Sequence, residues 1–224
     1  MDALFAPSHG VVKSVSENKD YKMLEMFSTL GELNATTPTY SSLGSSWATT
    51  VSRFTVISGS ILQVIPGYTN NEVAGLQVGI GNKTIRCECA IPVSTGTIDL
   101  YFRKPVGLLN RNVSGFNAFG VLLKNNLGVL QSRFIRRIDG VSNALITTDT
   151  ATGAWTNHSA IDPTKRFTVL AVDSGDELSL SIAGVTRKTA PGIVSSSDLS
   201  GQDYIGLVTK ITTPKTSIYS MRIY

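Results

Sequence analysis

Cysteine is nearly missing from this 224-residue chain: only Cys87 and Cys89 are present, too few for a disulfide framework. Two residues apart on one extended segment, they point to the same face, with Arg86 and Glu88 on the other, and are poorly placed to bridge each other. A structural zinc needs four ligands, and the two histidines, His9 and His158, stand at no motif spacing from the thiols. The pair reads as two small buried hydrophobes, with half of a metal site as the alternative. Neither a metal nor a cofactor is expected.

Charge is scarce as well. Asp, Glu, Lys and Arg make up 16% of the chain, while apolar residues make up 42%, enough to fill a core and too many for a disordered chain. Twenty basic residues against sixteen acidic ones give a net charge of +4, but the basic residues are scattered. Without a basic stripe interleaved with stacking aromatics, no nucleic-acid partner is expected. Polar residues interrupt every apolar run well before the length of a membrane span, so no membrane insertion is expected. The first ten residues lack the apolar stretch of a signal peptide, and the expectation is a chain made without an export signal.

What is present is β-structure. Short alternating segments recur at 53–57, 61–65, 84–91, 97–103, 116–124, 129–138, 141–147, 166–172, 177–182, 185–189, 204–210 and 217–224. Turn signals such as Pro66-Gly67, Asp139-Gly140 and Ala183-Gly184 cut them apart. Asp139-Gly140 is the strongest two-residue hairpin signal, the segments at 84–91 and 97–103 read as another hairpin, and 125–128 reads as a connector. Residues 21–27 read as a strand with Met23, Glu25 and Phe27 on one face, or as one turn of helix. Roughly a dozen strands at this spacing predict an all-β fold, a two-sheet antiparallel β-sandwich of jelly-roll type, over residues 21–224. Residues 1–20 carry Leu4, Phe5, Val11, Val12 and Val15 in no regular period. They read as an arm for attachment or oligomerisation, and Tyr68 reads as a further interface aromatic.

Trp47, Phe54, Val56, Gly59 and Leu62 form a "W, F-x-V, G-x-x-L" series. It is followed by Phe119-Gly-Val121, by Trp155 ahead of Phe167 and Val169, by the 178–182 segment before Gly184, and by Ile205-Gly-Leu207. In this order the chain resembles concanavalin A-like (laminin G or laminarinase-like) jelly-roll modules, including those of bacteriophage tail and other virion proteins. The resemblance implies a structural protein of a virus particle, on a tail, baseplate or capsid surface, assembled in the host cytoplasm. Other virion subunits and further copies of the chain would be its partners. The catalytic members of this fold carry an E-x-D-x-x-E strand, which is absent here; Glu88 and Asp99 stand alone, while Asp173, Asp176 and Glu177 fall at a hairpin tip. No enzyme activity is expected.

The alternative function is a carbohydrate-binding module that contacts host-surface glycans. Trp155, Asn157 and His158, in a polar loop, have the ring and amide chemistry that sugars use, although the resemblance also implies a Trp that packs on the sandwich edge. Arg136 alternates onto the face of Phe134 and Ile138. There it must be paired, reach out at a sheet edge, or line a groove where this fold binds glycans.

Overall fold

The computed structural model describes residues 22–49, 54–57, 61–64, 72–79, 81–92, 94, 96–105, 107–145, 154–192, 199, 204–210 and 216–224. The arm, with Leu4, Phe5, Val11, Val12 and Val15, and the interface candidate Tyr68 lie outside them.

Among the described residues seventeen strands follow one another: β1 (Met23–Glu25), β2 (Gly31–Glu32), β3 (Tyr40–Ser41), β4 (Phe54–Ile57), β5 (Ile61–Val64), β6 (Ala74–Gln77), β7 (Lys83–Ala90), β8 (Thr97–Lys104), β9 (Ala118–Asn126), β10 (Val129–Ile138), β11 (Val141–Ala144), β12 (Thr156–His158), β13 (Phe167–Asp173), β14 (Leu178–Ile182), β15 (Val185–Lys188), β16 (Tyr204–Lys210) and β17 (Ser217–Ile223). The larger sheet has the order β15-β14-β13-β7-β17-β5-β4-β2, with β1 joining β17 to β3; the smaller has the order β11-β10-β9-β8-β16-β6, with β12 beside β10. All the pairings are antiparallel. The all-β sandwich expected from the sequence is the fold observed.

Alternation builds the core. Ile85, Cys87 and Cys89 of β7, with Val169 and Ala171 of β13, meet Ile98, Leu100 and Phe102 of β8 and Phe119, Val121 and Leu123 of β9 in one buried cluster. Both cysteines are buried, free thiols, and burial with a neighbouring thiol raises the Cys89 pKa well above its ordinary value. Trp47, 1% exposed, lies 6.3 Å from Phe27 and donates from Nε1 to Oε2 of Glu25 at 2.9 Å. Residues 23–25 form a strand, with Met23, Glu25 and Phe27 all buried.

Local hairpins follow the turn chemistry. Asp139 and Gly140 have φ of 48° and 77° between the paired residues Ile138 and Val141, and Leu127 and Gly128 have φ of 53° and 89° between Asn126 and Val129. Both are two-residue turns with two positive φ values, whose twist suits the flanking strands. The second is tighter than the four-residue connector expected at 125–128.

Two expectations need correction. β7 and β8 are not a hairpin: β7 pairs with β13 and β17 in the larger sheet, β8 with β9 and β16 in the smaller, so the connection crosses between layers. In β17 the register with β7 shifts between Ile218 and Ser220, so Ile218 joins Met221 and Ile223 in the core although strict alternation would set it on the other face. Asp173 is not at a solvated turn. It is fully buried, accepts from Nε and Nη2 of Arg103 at 2.7 and 2.8 Å, and ties the end of β13 to β8 across the two layers. Arg103 has φ of 53° where the β8–β16 register slips, and this turns its side chain inward.

Candidate functional site

The smaller sheet has an outer face, and register fixes what stands on it. Tyr101, Gly120 and Ile135 are cross-strand neighbours on β8, β9 and β10. Asp99, Leu122 and Arg133 form the next row, and Thr97, Lys124, Gln131 and Asn157 of β12 the row beyond. These positions alternate with the core residues on every strand.

Residues 107–117 fold over part of this face. Phe116 packs edge-on against Tyr101 at 5.4 Å between centroids, and with Val73, Ala118 and Ile135 they make a second buried cluster outside the main core. The Tyr101 ring lies flat across β9 because Gly120 has no side chain; a Cβ there would stand 2.9 Å from the ring. Arg137, 7% exposed, donates from Nε to the Tyr101 hydroxyl at 2.8 Å and from Nη1 to the Arg111 carbonyl and to Oδ1 of Asn112, both at 3.1 Å. Arg111 is ion-paired with Asp99, which is 1% exposed and also accepts from the Tyr101 hydroxyl at 3.3 Å. Burial, with Arg137 nearby, lowers the Arg111 pKa to about 10; burial pushes Tyr101 up to about 12 against the pull of Arg137. The carboxylate of Asp99 is thus committed to holding the loop down.

The remaining half of the face is not covered by this loop. Trp155, half-buried, lies against it, with Nζ of Lys124 4.4 Å and Cζ of Arg133 4.6 Å from the indole centroid. Gln131 donates from Nε2 to Oδ1 of the exposed Asn157 at 2.7 Å. That bond leaves the amide NH₂ of Asn157 and the carbonyl oxygen of Gln131 to face a ligand. An aromatic surface beside paired amides, on hydrogen-bonded strands, can stack on a pyranose and hydrogen-bond its hydroxyls.

The structure gathers two of the four sequence candidates here and turns two away. Residues 156–158 are a strand, not a loop, and pairing with β10 sends Trp155 and Asn157 outward and His158 inward. His158 is 6% exposed and shares a 2.7 Å hydrogen bond between Nε2 and Oγ of Ser132. Burial and the charge of Arg187 lower its pKa from the usual 6.5. A cleft of about 180 Å³, lined by His158, Ile161, Ile182, Val185 and Arg187 among others, opens beside it. Arg136 shares the inner parity of Phe134 and sits half-buried over the Phe119 ring at 5.9 Å, so it does not stand on the outer face. Lys124, Gln131 and Arg133 are the residues that sequence reasoning missed; their shared parity with Asn157 across three paired strands is the signal that marks them.

A second cavity, about 170 Å³, lies at the opposite sheet around Glu25, Thr36 and Thr39. Glu25 is 5% exposed and accepts from Trp47, from the Phe27 amide and from the Thr39 hydroxyl, so its carboxylate holds the β1 segment in place.

No protein-family model matches the sequence, and no curated protein matches it. Solved structures do. The chain is similar to an endo-β-1,3-glucanase from Pyrococcus furiosus (TM-score 0.55, 8% identity, 91% of this chain and 93% of that one). It is similar to the CBM2 module of the evolved Dit of Lactobacillus casei BL23 phage J-1 (TM-score 0.53, 8% identity, 91% and 94%). It is also similar to the carbohydrate recognition domain of Emp46p (TM-score 0.52, 12% identity, 86% and 95%). At these identities the likeness is one of fold, and the fold is the concanavalin A-like jelly roll.

Proposed function

We propose that this chain is a non-enzymatic carbohydrate-binding β-sandwich that takes a glycan on the uncovered half of the smaller sheet's outer face. The observation that carries the reading is the Trp155 indole beside the Gln131–Asn157 amide pair, on the part of the smaller sheet's outer face that residues 107–117 leave uncovered. The non-catalytic part is supported by the acids. The strands of the smaller sheet contain one carboxylate, Asp99, and it is paired with Arg111 under the loop, whereas glycoside hydrolysis needs two facing carboxyls about 5 Å or more apart.

The setting we propose is the surface of a virus particle, a bacteriophage tail, baseplate or capsid, where the module would contact host-surface glycans. The polar, charge-poor composition and the likeness to a phage module support it. Residues 1–20, with Tyr68, would join the sandwich to other virion subunits or to further copies of itself, the arm by burying its apolar side chains or adding a strand to a neighbour's sheet edge.

Fluorescence tests the binding site directly. Trp47 is 1% exposed and bonded to Glu25, so a ligand-dependent change in tryptophan emission reports Trp155. Titration with a panel of oligosaccharides is expected to give a saturable change for at least one member, absent in Trp155→Ala. No saturable change with any member would overturn the reading.

A further inference from the structure

The same face carries two positive charges that no described carboxylate answers. Lys124 and Arg133 approach one indole within 4.4 and 4.6 Å of its centroid. Among the described residues neither is paired with a carboxylate. Arg133 Nε is buried with no hydrogen-bond partner among the described residues. Stacking on the ring offsets part of the cost, since an indole face attracts cations, but it supplies no hydrogen-bond acceptor and leaves two like charges close together. Asp99, the one carboxylate on these strands, is taken by Arg111 and the Tyr101 hydroxyl.

A neutral sugar would leave this arrangement unchanged or worsen it by removing water from both cations. An anionic group set between them would remove the repulsion, give Arg133 an acceptor, and form charge-assisted bonds with both. The neighbouring row, Thr97, Gln131 and Asn157, is neutral and polar, suited to the hydroxyls of the same sugar or the next.

We propose that the site selects acidic saccharides, with a uronate carboxylate or a sulfate ester held between Lys124 and Arg133 while the ring and the Gln131–Asn157 amides hold the sugar. The proposal rests on the glycan-binding reading above and adds the class of glycan. Burial lowers the Arg133 pKa from its ordinary value, which agrees with a guanidinium that has no compensating carboxylate among the described residues.

The test is calorimetric titration of the full chain with two matched pairs of probes: an oligogalacturonate against its methyl ester, and a sulfated dextran oligomer against unsulfated dextran. At least one acidic member is expected to bind about tenfold or more tightly than its neutral partner, the factor that one charge-assisted hydrogen bond supplies. Which pair shows the preference distinguishes carboxylate from sulfate. Lys124→Gln with Arg133→Gln should erase the preference, while Arg86→Gln on the outer face of the opposite sheet should keep it. The melting temperature of each variant checks that the fold is retained. Neutral members binding as tightly as acidic ones would overturn the acidic class and leave the glycan site standing. Acidic probes binding equally to the double variant would show general attraction to a chain of net charge +4 and would overturn the proposal too. If no probe of either pair binds, the proposal fails together with the reading beneath it.

Discussion

His158 shows how a single side chain can look functional in sequence and act structurally in the fold. Placed beside Trp155 and Asn157, it has the chemistry of a sugar contact, but pairing of β12 with β10 turns it inward onto Ser132. Burial and Arg187 hold its pKa below 6.5, so the folded state favours the neutral ring. The unfolded chain then binds the proton more readily, and the stability that His158 contributes is present above about pH 6.5 and lost as pH falls from there toward its folded pKa. Urea unfolding between pH 7.5 and 5 should show this loss, and His158→Gln should flatten the profile in that window; an unchanged slope would show that His158 titrates normally. The outer residues were harder to read. Along β10 both parities contain apolar groups, Phe134 on one and Ile135 on the other, and alternation alone favours the face of Phe134, where Arg136 lies. Ile135 is buried because residues 107–117 cover it, a long-range contact with no local trace. That cover made the outer face look like a second core and concealed Arg133.

At the scale of elements, the loop over the smaller sheet and the β10–β11 turn depend on each other. Gly140 has φ of 77°, and a Cβ placed there would stand 2.6 Å from the Asn112 carbonyl carbon. The Asp139-Gly140 signal was legible because positive φ at two successive residues is a local demand. Its second role, as the seat for residue 112, was not. Gly140→Ala is expected to cost about 1 kcal/mol for the backbone and about 1–3 kcal/mol more for the clash, so the packing term decides the outcome. Equilibrium denaturation should show a loss above about 2 kcal/mol, and a value under about 1 kcal/mol would mean that the loop moves away freely. The mistaken pairing of β7 with β8 has a similar cause. Their connection is short enough for a hairpin, but β7 finds its partners in β13 and β17, residues far along the chain, and sequence proximity says nothing about such pairings.

At the scale of the molecule, turn spacing and alternation were enough to establish a two-sheet sandwich, because each strand must bury one face and expose the other. The same regularity hides function: a face left open differs from a face under a loop only in what lies above it. Here the loop at 107–117 takes one half of the smaller sheet's outer surface, with Asp99, Arg111, Tyr101 and Arg137 fixing it in place. The other half keeps Trp155, Gln131 and Asn157 within reach of solvent. Glycan-array binding by the full chain and by Trp155→Ala tests this division most directly. The account predicts that the full chain binds at least one glycan class and that Trp155→Ala, folded to the same melting temperature, loses that signal; binding that persists undiminished in the variant, or no binding by the full chain to any glycan, would contradict it.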